Sequence, residues 1–320
     1  MKELLIVSGK GGTGKTSITA ALAMLLPQTV LADCDVDAAD LHLLLSPRIR
    51  EEHEFRSGVL AVIDPALCNA CGTCAELCQF RAIRINAAAE LIPFSCEGCG
   101  VCSRFCPEGA IRLQEKHCGE WFLSGTEYGP MIHARLGIGE ENSGKLVSLV
   151  KKRAREEAEK ENAAWLVVDG PPGIGCPVIA SLSGADLVLL ATEPTLSGLH
   201  DLKRVAELVR HFKLPMGVCI NKWDLHPGCS AEISQLCREQ AIPVLGTIPF
   251  DTAMVDAVVK GVPLLHQAPD SAAAKAVRGL YEKIIQSATT GKAGGLKESE
   301  PLKAVENLGP PKGGYSNKFS

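Results

Sequence analysis

A short apolar run, Leu4 to Val7, leads straight into Ser8-Gly9-Lys10-Gly11-Gly12-Thr13-Gly14-Lys15-Thr16-Ser17, and an Ala/Leu-rich helical pattern follows from about Thr16 to Leu26. No other feature constrains the fold of this chain as strongly. Gly9-x4-Gly14-Lys15-Thr16, set between a buried strand and a helix, fits a loop that cradles phosphates. Its glycines let consecutive backbone N–H groups turn inward, and the helix N-terminus adds its positive dipole end. Lys15 supplies a point charge and the Thr16 hydroxyl suits Mg²⁺. Gly11, Gly12, Thr13, Gly14, Lys15, Thr16 and Ser17 are therefore the expected phosphate-binding residues.

The rest of the chain supplies a matching frame. Val30-Leu31-Ala32 is a second strand, ending at Asp33-Cys34-Asp35-Val36-Asp37. A charged helix is expected around Lys145 to Glu161, then strands at Trp165–Val168, Leu187–Ala191, Met216–Ile220 and Val244–Ile248, separated by helix-length segments. Fully apolar strands alternating with helices predict an α/β fold whose parallel sheet is covered on both faces.

Between these halves the texture changes. Eight of the 14 cysteines fall between Cys68 and Cys106, among short strand-like pieces at Val59–Ile63, Ala82–Ile85 and Ala110–Leu113. The segment is an insertion, not an appended module. Its halves, Cys68–Ile85 and Cys96–Leu113, repeat at a period of 28 residues. Cys68-x2-Cys71-x2-Cys74-x3-Cys78 and Cys96-x2-Cys99-x2-Cys102-x3-Cys106-Pro107 are two copies of the run that binds [4Fe–4S] clusters in bacterial ferredoxins. In that pattern the fourth cysteine ligates the other cluster. Cys68, Cys71, Cys74 and Cys106 are accordingly assigned to one cluster, and Cys96, Cys99, Cys102 and Cys78 to the second. Gln79 stands where the first run would have proline. Structural zinc is the competing reading for Cys-x2-Cys pairs, and two 2-2-3 runs disfavour it. The organisation expected is a nucleotide-binding domain over 1–55 and 115–287, an inserted α+β ferredoxin-like domain over 56–114, and a disordered Gly/Lys/Ser/Pro-rich tail over 288–320.

The run Gly-Lys-Gly-Gly-x-Gly-Lys-Thr has a second lysine, Lys10, that ordinary phosphate loops lack. It resembles the deviant Walker A motif of the MinD/ParA/Mrp and nitrogenase-iron-protein superfamily. By that resemblance Lys10 acts in trans, across an ATP-sandwich homodimer. Asp35 resembles the switch I aspartate that orients attacking water and helps hold Mg²⁺; Asp37 and Asp40 leave that assignment less exclusive. Trp165-Leu166-Val167-Val168-Asp169 resembles a Walker B strand with Asp169 toward Mg²⁺, and Gly170-Pro171-Pro172-Gly173 a switch II loop. Asn221-Lys222-Trp223-Asp224 resembles the base-contacting motif, adenine being the family's usual base. Cys176 lies where the nitrogenase iron protein has a bridging-cluster cysteine, but no second Cys-x2-Cys pair completes such a site. It reads as a small residue at a helix start. Cys34, Cys118, Cys219, Cys229 and Cys237 read as core or incidental, and His117 and His133 as surface or packing histidines.

Net charge is −4 and aromatics are 4% of the chain, which argues against nucleic-acid binding as its main task. No apolar run reaches the ~18–20 residues that span a bilayer, the start enters a strand without a leader-like segment, and clustered free cysteines suit a reducing compartment. The expectation is a cytoplasmic, dimeric, slow MgATP hydrolase with two [4Fe–4S] clusters. Nucleotide state would be coupled to electron transfer with a protein donor or acceptor, or to docking on a scaffold partner. The alternatives are an Mrp-like iron–sulfur carrier, disfavoured on the expectation of buried cluster cysteines, and a MinD/ParA-like positioning ATPase with structural or redox-sensing clusters.

Overall fold

The computed structural model describes residues 1–137, 139–140 and 144–290. Chain order begins β1 (Lys2–Ser8), α1 (Lys15–Leu25), β2 (Thr29–Asp33) and α2 (Leu41–Leu45). The cysteine-rich region and its flanks carry β3 (Arg48–Ile63), α3 (Thr73–Leu77), β4 (Ile83–Ile85), β5 (Ala89–Leu91), α4 (Val101–Arg104) and β6 (Ile111–Thr126). There follow β7 (Gly129–Leu136), α5 (Lys145–Lys160), β8 (Trp165–Pro172), α6 (Cys176–Leu182), β9 (Leu187–Thr192) and α7 (Leu196–His211). The chain closes with β10 (Met216–Asn221), α8 (Pro227–Glu239), β11 (Val244–Ile248), α9 (Thr252–Lys260), α10 (Leu264–Gln267) and α11 (Ala272–Thr290). α11 enters the stretch expected as a tail, and residues 291–320 lie outside the described residues.

Among the described residues the main sheet has the order β11-β10-β9-β1-β8-β2-β7-β6-β3. It is parallel from β11 through β7. β6 pairs antiparallel with β7, and β3 antiparallel with β6. Successive residues of one strand serve opposite layers: Leu5 and Val7 join the core under α5, α7 and α8, whereas Leu4 and Ile6 join the core under α1 and α11. That two-sided burial is why β1 reads as an unbroken apolar run.

Two features depart from the expected layout. β7, with its short mixed sequence Gly-Pro-Met-Ile-His-Ala-Arg-Leu, extends the parallel sheet beyond β2. The strands expected at 59–63 and 110–113 are the far ends of two 16-residue strands, β3 and β6, paired as a ribbon that runs from the sheet into the cysteine lobe. The ribbon is continuous across the positions expected as domain boundaries.

The lobe keeps its repeat in three dimensions. Gly72 and Gly100 precede α3 and α4 with φ of 85° and 78°. Positive φ recurs at Ala70 and Gly98 and at Arg81 and Gly109, the same positions of the repeat. The paired residues Ile83↔Leu91 and Ile85↔Ala89 of the β4/β5 hairpin are echoed by Ile63↔Ile111 and Ala61↔Leu113 at the ribbon tip.

Candidate functional site

The C-terminal ends of β1, β2, β8, β9 and β10 bring the loop after β1 together with acids from neighbouring strands, the usual place for ligands in an open α/β sheet. α1 begins at Lys15 after Gly14, with no side-chain cap on its first N–H groups, so those donors point at whatever anion enters the loop. Gly11 and Gly12 face open space; a Cβ on Gly14 would stand 2.3 Å from Asn221 Nδ2. Ser17 lies in the first turn of α1.

Lys15 is buried among carboxylates. Its Nζ lies 2.9 Å from Asp35 Oδ2 and 3.4 Å from Asp169 Oδ1. Thr16 Oγ1 donates to Asp169 Oδ2 at 2.7 Å, and Thr19 Oγ1 to Asp169 Oδ1 at 3.0 Å. Asp33, fully buried, accepts the N–H groups of Asp35 and Leu41. Three acids thus face one ammonium. Burial opposes the charge on Lys15, yet Asp169 and Asp35 outweigh it and hold the amine protonated. Burial first, then the neighbouring Asp169, pushes the Asp33 carboxyl well above its ordinary range; burial raises Asp35 as well, with Lys15 opposing. A surplus of buried acid beside a threonine hydroxyl is the donor set of a hard divalent cation such as Mg²⁺. Asp37 and Asp40 are exposed.

Lys10 is held within its own chain. Its Nζ pairs with Glu193 Oε1 at 2.7 Å and donates to Ser197 Oγ at 2.9 Å and Thr195 Oγ1 at 3.2 Å. Glu193 also binds Lys222 Nζ at 3.0 Å, and Lys222 Nζ reaches Gly12 O. Burial opposes the Glu193 charge, but the two lysines overcome it and hold its carboxyl low. Asn221 Nδ2 donates to Thr13 O at 2.8 Å, so the expected base-contacting residue also braces the phosphate loop. Asp33, Thr19 and Glu193 were not among the expected site residues. Thr19 had a signal, four residues after Lys15 on one helix face; Glu193 carried none beyond its place after an apolar strand.

The eight clustered cysteines divide between two cavities. One is lined by Cys78, Cys96, Cys99 and Cys102 with Ala61, Phe80 and Leu113 among the apolar walls. The other is lined by Cys68, Cys71, Cys74 and Cys106 with Asn69 and Pro107. Each takes three cysteines from one run and one from the other. Backbone N–H groups of Ala89, Ala82 and Ala110 point at the sulfurs of Cys68, Cys78 and Cys106, at 3.4, 3.3 and 3.3 Å. Among the described residues no three His, Cys, Asp or Glu side chains close on a single ion. Burial is uneven: Cys74 is buried, whereas Cys71 and Cys99 are exposed, which corrects the expectation of a buried set. Cys34, Cys118, Cys219, Cys229 and Cys237 are buried, and Cys176 is exposed at the start of α6. His133 is buried against Ser124, and His117 is exposed. Among the described residues no helix is long and apolar enough to cross a membrane.

Comparison with known proteins gives concordant matches. The chain is 32% identical over 285 residues to an uncharacterised protein of Methanocaldococcus jannaschii, covering 88% of this chain and 96% of that one. It is 26% identical over 137 residues to an iron–sulfur cluster carrier protein of Aquifex aeolicus, covering 39% and 38% of the two chains. The fold matches the cell-division ATPase MinD of Pyrococcus furiosus with a TM-score of 0.54 at 20% identity, over 89% of this chain and 98% of that one. It matches MinD in the MinC:MinD complex of Aquifex aeolicus with a TM-score of 0.55 at 20% identity, over 95% and 98%. Residues 4–264 fit the family model of the CobQ/CobB/MinD/ParA nucleotide-binding domain, and the chain belongs to that family, whose MinD and ParA members are ATPases.

Proposed function

We propose that this chain is a MgATP-hydrolysing, ATP-sandwich homodimer that carries two [4Fe–4S] clusters in its inserted lobe and couples nucleotide state to electron transfer or to docking of a redox partner. Thr16, Asp35 and Asp169 hold Mg²⁺, Lys15 and the loop N–H groups hold the phosphates, Asn221 borders the base, and Lys10 serves the partner's nucleotide. Asp35 has the further role of orienting the attacking water.

The observation that carries the cluster half is the division of the eight cysteines into two cavities, each mixing three residues of one run with the fourth of the other. A four-iron cube spaces its thiolates wider than a single tetrahedral ion does, and sulfurs that line a cavity without closing on one point suit the cube. N–H groups aimed at three of the sulfurs would favour the reduced cluster. When bound, such clusters accept and release single electrons. The ribbon leaves the sheet at the edge where the nucleotide residues stand, because Gly119 pairs with Leu136 at the end of β7, a strand parallel to β2.

Exposure of Cys71 and Cys99 favours a second reading, an iron–sulfur carrier that hands a cluster on, in line with the partial match to a carrier protein. One experiment separates the two. Anaerobically purified protein should hold about eight irons per chain, and its redox titration by EPR should shift when MgATP is added. Clusters indifferent to MgATP, but lost to an apo-acceptor protein, would replace the first reading with the second.

A further inference from the structure

The β3/β6 ribbon is not uniform along its length. Its register slips once on the sheet, between Ile49 and Glu51, is regular where it walls the cavities, and slips twice in close succession between the two. Phe55 faces Gly119, Arg56 faces His117, and Val59 faces Glu115. Gly58 has φ 69° and Gly119 φ 151°, backbone that side-chain-bearing residues adopt poorly. Such double irregularities interrupt the ladder and leave a ribbon free to bend there. The interruption lies between two well-anchored ends. On the sheet side a Cβ on Gly119 would stand 2.3 Å from Arg135 O, so the strand is pressed against β7. On the lobe side a Cβ on Gly98 would stand 2.2 Å from Val59 O, and Ala61 and Leu113 already line the cavity of Cys78, Cys96, Cys99 and Cys102.

What spans the weak stretch is a small set of bonds. The Cys118 thiol donates to Ser57 O at 3.1 Å within the ribbon, and Gly137 N–H donates to Cys118 O at 2.9 Å from the end of β7. Lys116 Nζ pairs with Glu140 Oε1 at 2.7 Å, with the two side chains only 24% and 13% exposed. Glu140 follows β7, next to β2, whose end carries Asp33.

We infer that residues 55–59 and 115–119 form a hinge between the nucleotide-binding sheet and the cysteine lobe, and that Glu140 is a positioning residue that latches the hinge through Lys116. From Gly119 to Leu113 the ribbon extends about 20 Å at ~3.4 Å per residue, so a turn of about 10° would carry the nearer cavity ~3–4 Å. That is enough to change what the lobe docks against. The inference rests on ladder geometry and holds whatever occupies the cavities.

Hydrogen exchange followed by mass spectrometry on the full chain tests it. Glu140→Gln should speed exchange of the amides at 56–58 and 116–118 about fivefold, the scale of one partly exposed ion pair, while β7, α5 and the phosphate loop keep wild-type rates. Glu115→Gln, the same charge change at an exposed neighbour, should leave all rates unchanged. The exchanged pair Lys116→Glu with Glu140→Lys should restore slow exchange at the hinge. Unchanged hinge rates in Glu140→Gln, acceleration spread through β7 and α5, or failure of the exchanged pair to restore protection would each overturn the assignment.

Discussion

For Lys10 to serve a partner's nucleotide, as proposed, its side chain must give up the contacts it makes within its own chain. Its ammonium gives up a 2.7 Å ion pair with Glu193 and hydrogen bonds to Ser197 and Thr195, with the pair's side chains 29% and 15% exposed. A partly exposed pair of this kind contributes ~1 kcal/mol after solvent screening. Two lysines are released per dimer, so the total is about 2 kcal/mol, or ~30-fold in a dissociation constant. Glu193→Gln keeps the shape of the site and one acceptor oxygen while removing the charge. It should tighten dimerisation in a non-hydrolysable ATP analogue by about 10–30-fold, read by sedimentation velocity over a concentration series. Nucleotide affinity of the monomer should stay within about twofold, since Lys222 keeps its contact with Gly12 O. Lys10→Ala should abolish the analogue-induced dimer and leave the iron content at the wild-type level. A dimer that is unchanged or weaker in Glu193→Gln would refute the reasoning, because Glu193 would then act within the assembled dimer rather than against it.

Three further outcomes follow from the same contacts. Lys15→Ala leaves Asp33, Asp35 and Asp169 without their cation, which should cost ~3–5 kcal/mol at pH 8; the deficit should shrink toward pH 5 as Asp33 and Asp35, whose carboxyls burial raises, take up protons, and a deficit independent of pH would rule out the electrostatic account. Gly98→Ala forces a Cβ to within 2.2 Å of Val59 O at φ 66°, a strain of about 1–3 kcal/mol, so about half the iron should be lost while ATP binding persists; full iron content would sink the cavity assignment. His133 is held neutral by burial and by His42, its pKa lowered to about 4. Its contribution is therefore complete above the ordinary histidine value of ~6.5 and is lost as pH falls from there toward about 4, by up to ~3 kcal/mol. His133→Gln, which keeps a partner for Ser124, should flatten the thermal midpoint over that window; the same acid slope in the variant would discard the explanation.

Much of the nucleotide site was legible because its chemistry is local in sequence. A phosphate cradle needs glycines, a lysine and a hydroxyl within one turn, so residues 9–17 declare it, and the strand-terminal acids Asp35 and Asp169 stand at the ends of apolar runs that mark themselves. Glu193 was not legible. It follows an ordinary strand, and its importance comes from two lysines, Lys10 and Lys222, that reach it from loops far away in the chain. β7 was missed for a related reason: a strand with His, Arg and Pro among its residues has no clean period, and its place in the sheet is set by β2 and β6 on either side.

By itself the sequence determined the class of fold, the loop that would take a phosphate, and which cysteines belong to which run, because strand burial, turn geometry and metal-ligand spacing are written in nearest neighbours and short repeats. Only the tertiary structure decided that Lys10 rests on Glu193 in its own chain, that Cys71 and Cys99 stand exposed while Cys74 is buried, and that a bulged ribbon carries the lobe from the nucleotide edge of the sheet. These depend on strand register and on side chains meeting from distant parts of the chain, as Lys10 meets Glu193, where the free energy is decided by packing and charge in three dimensions and leaves no periodic trace along the chain.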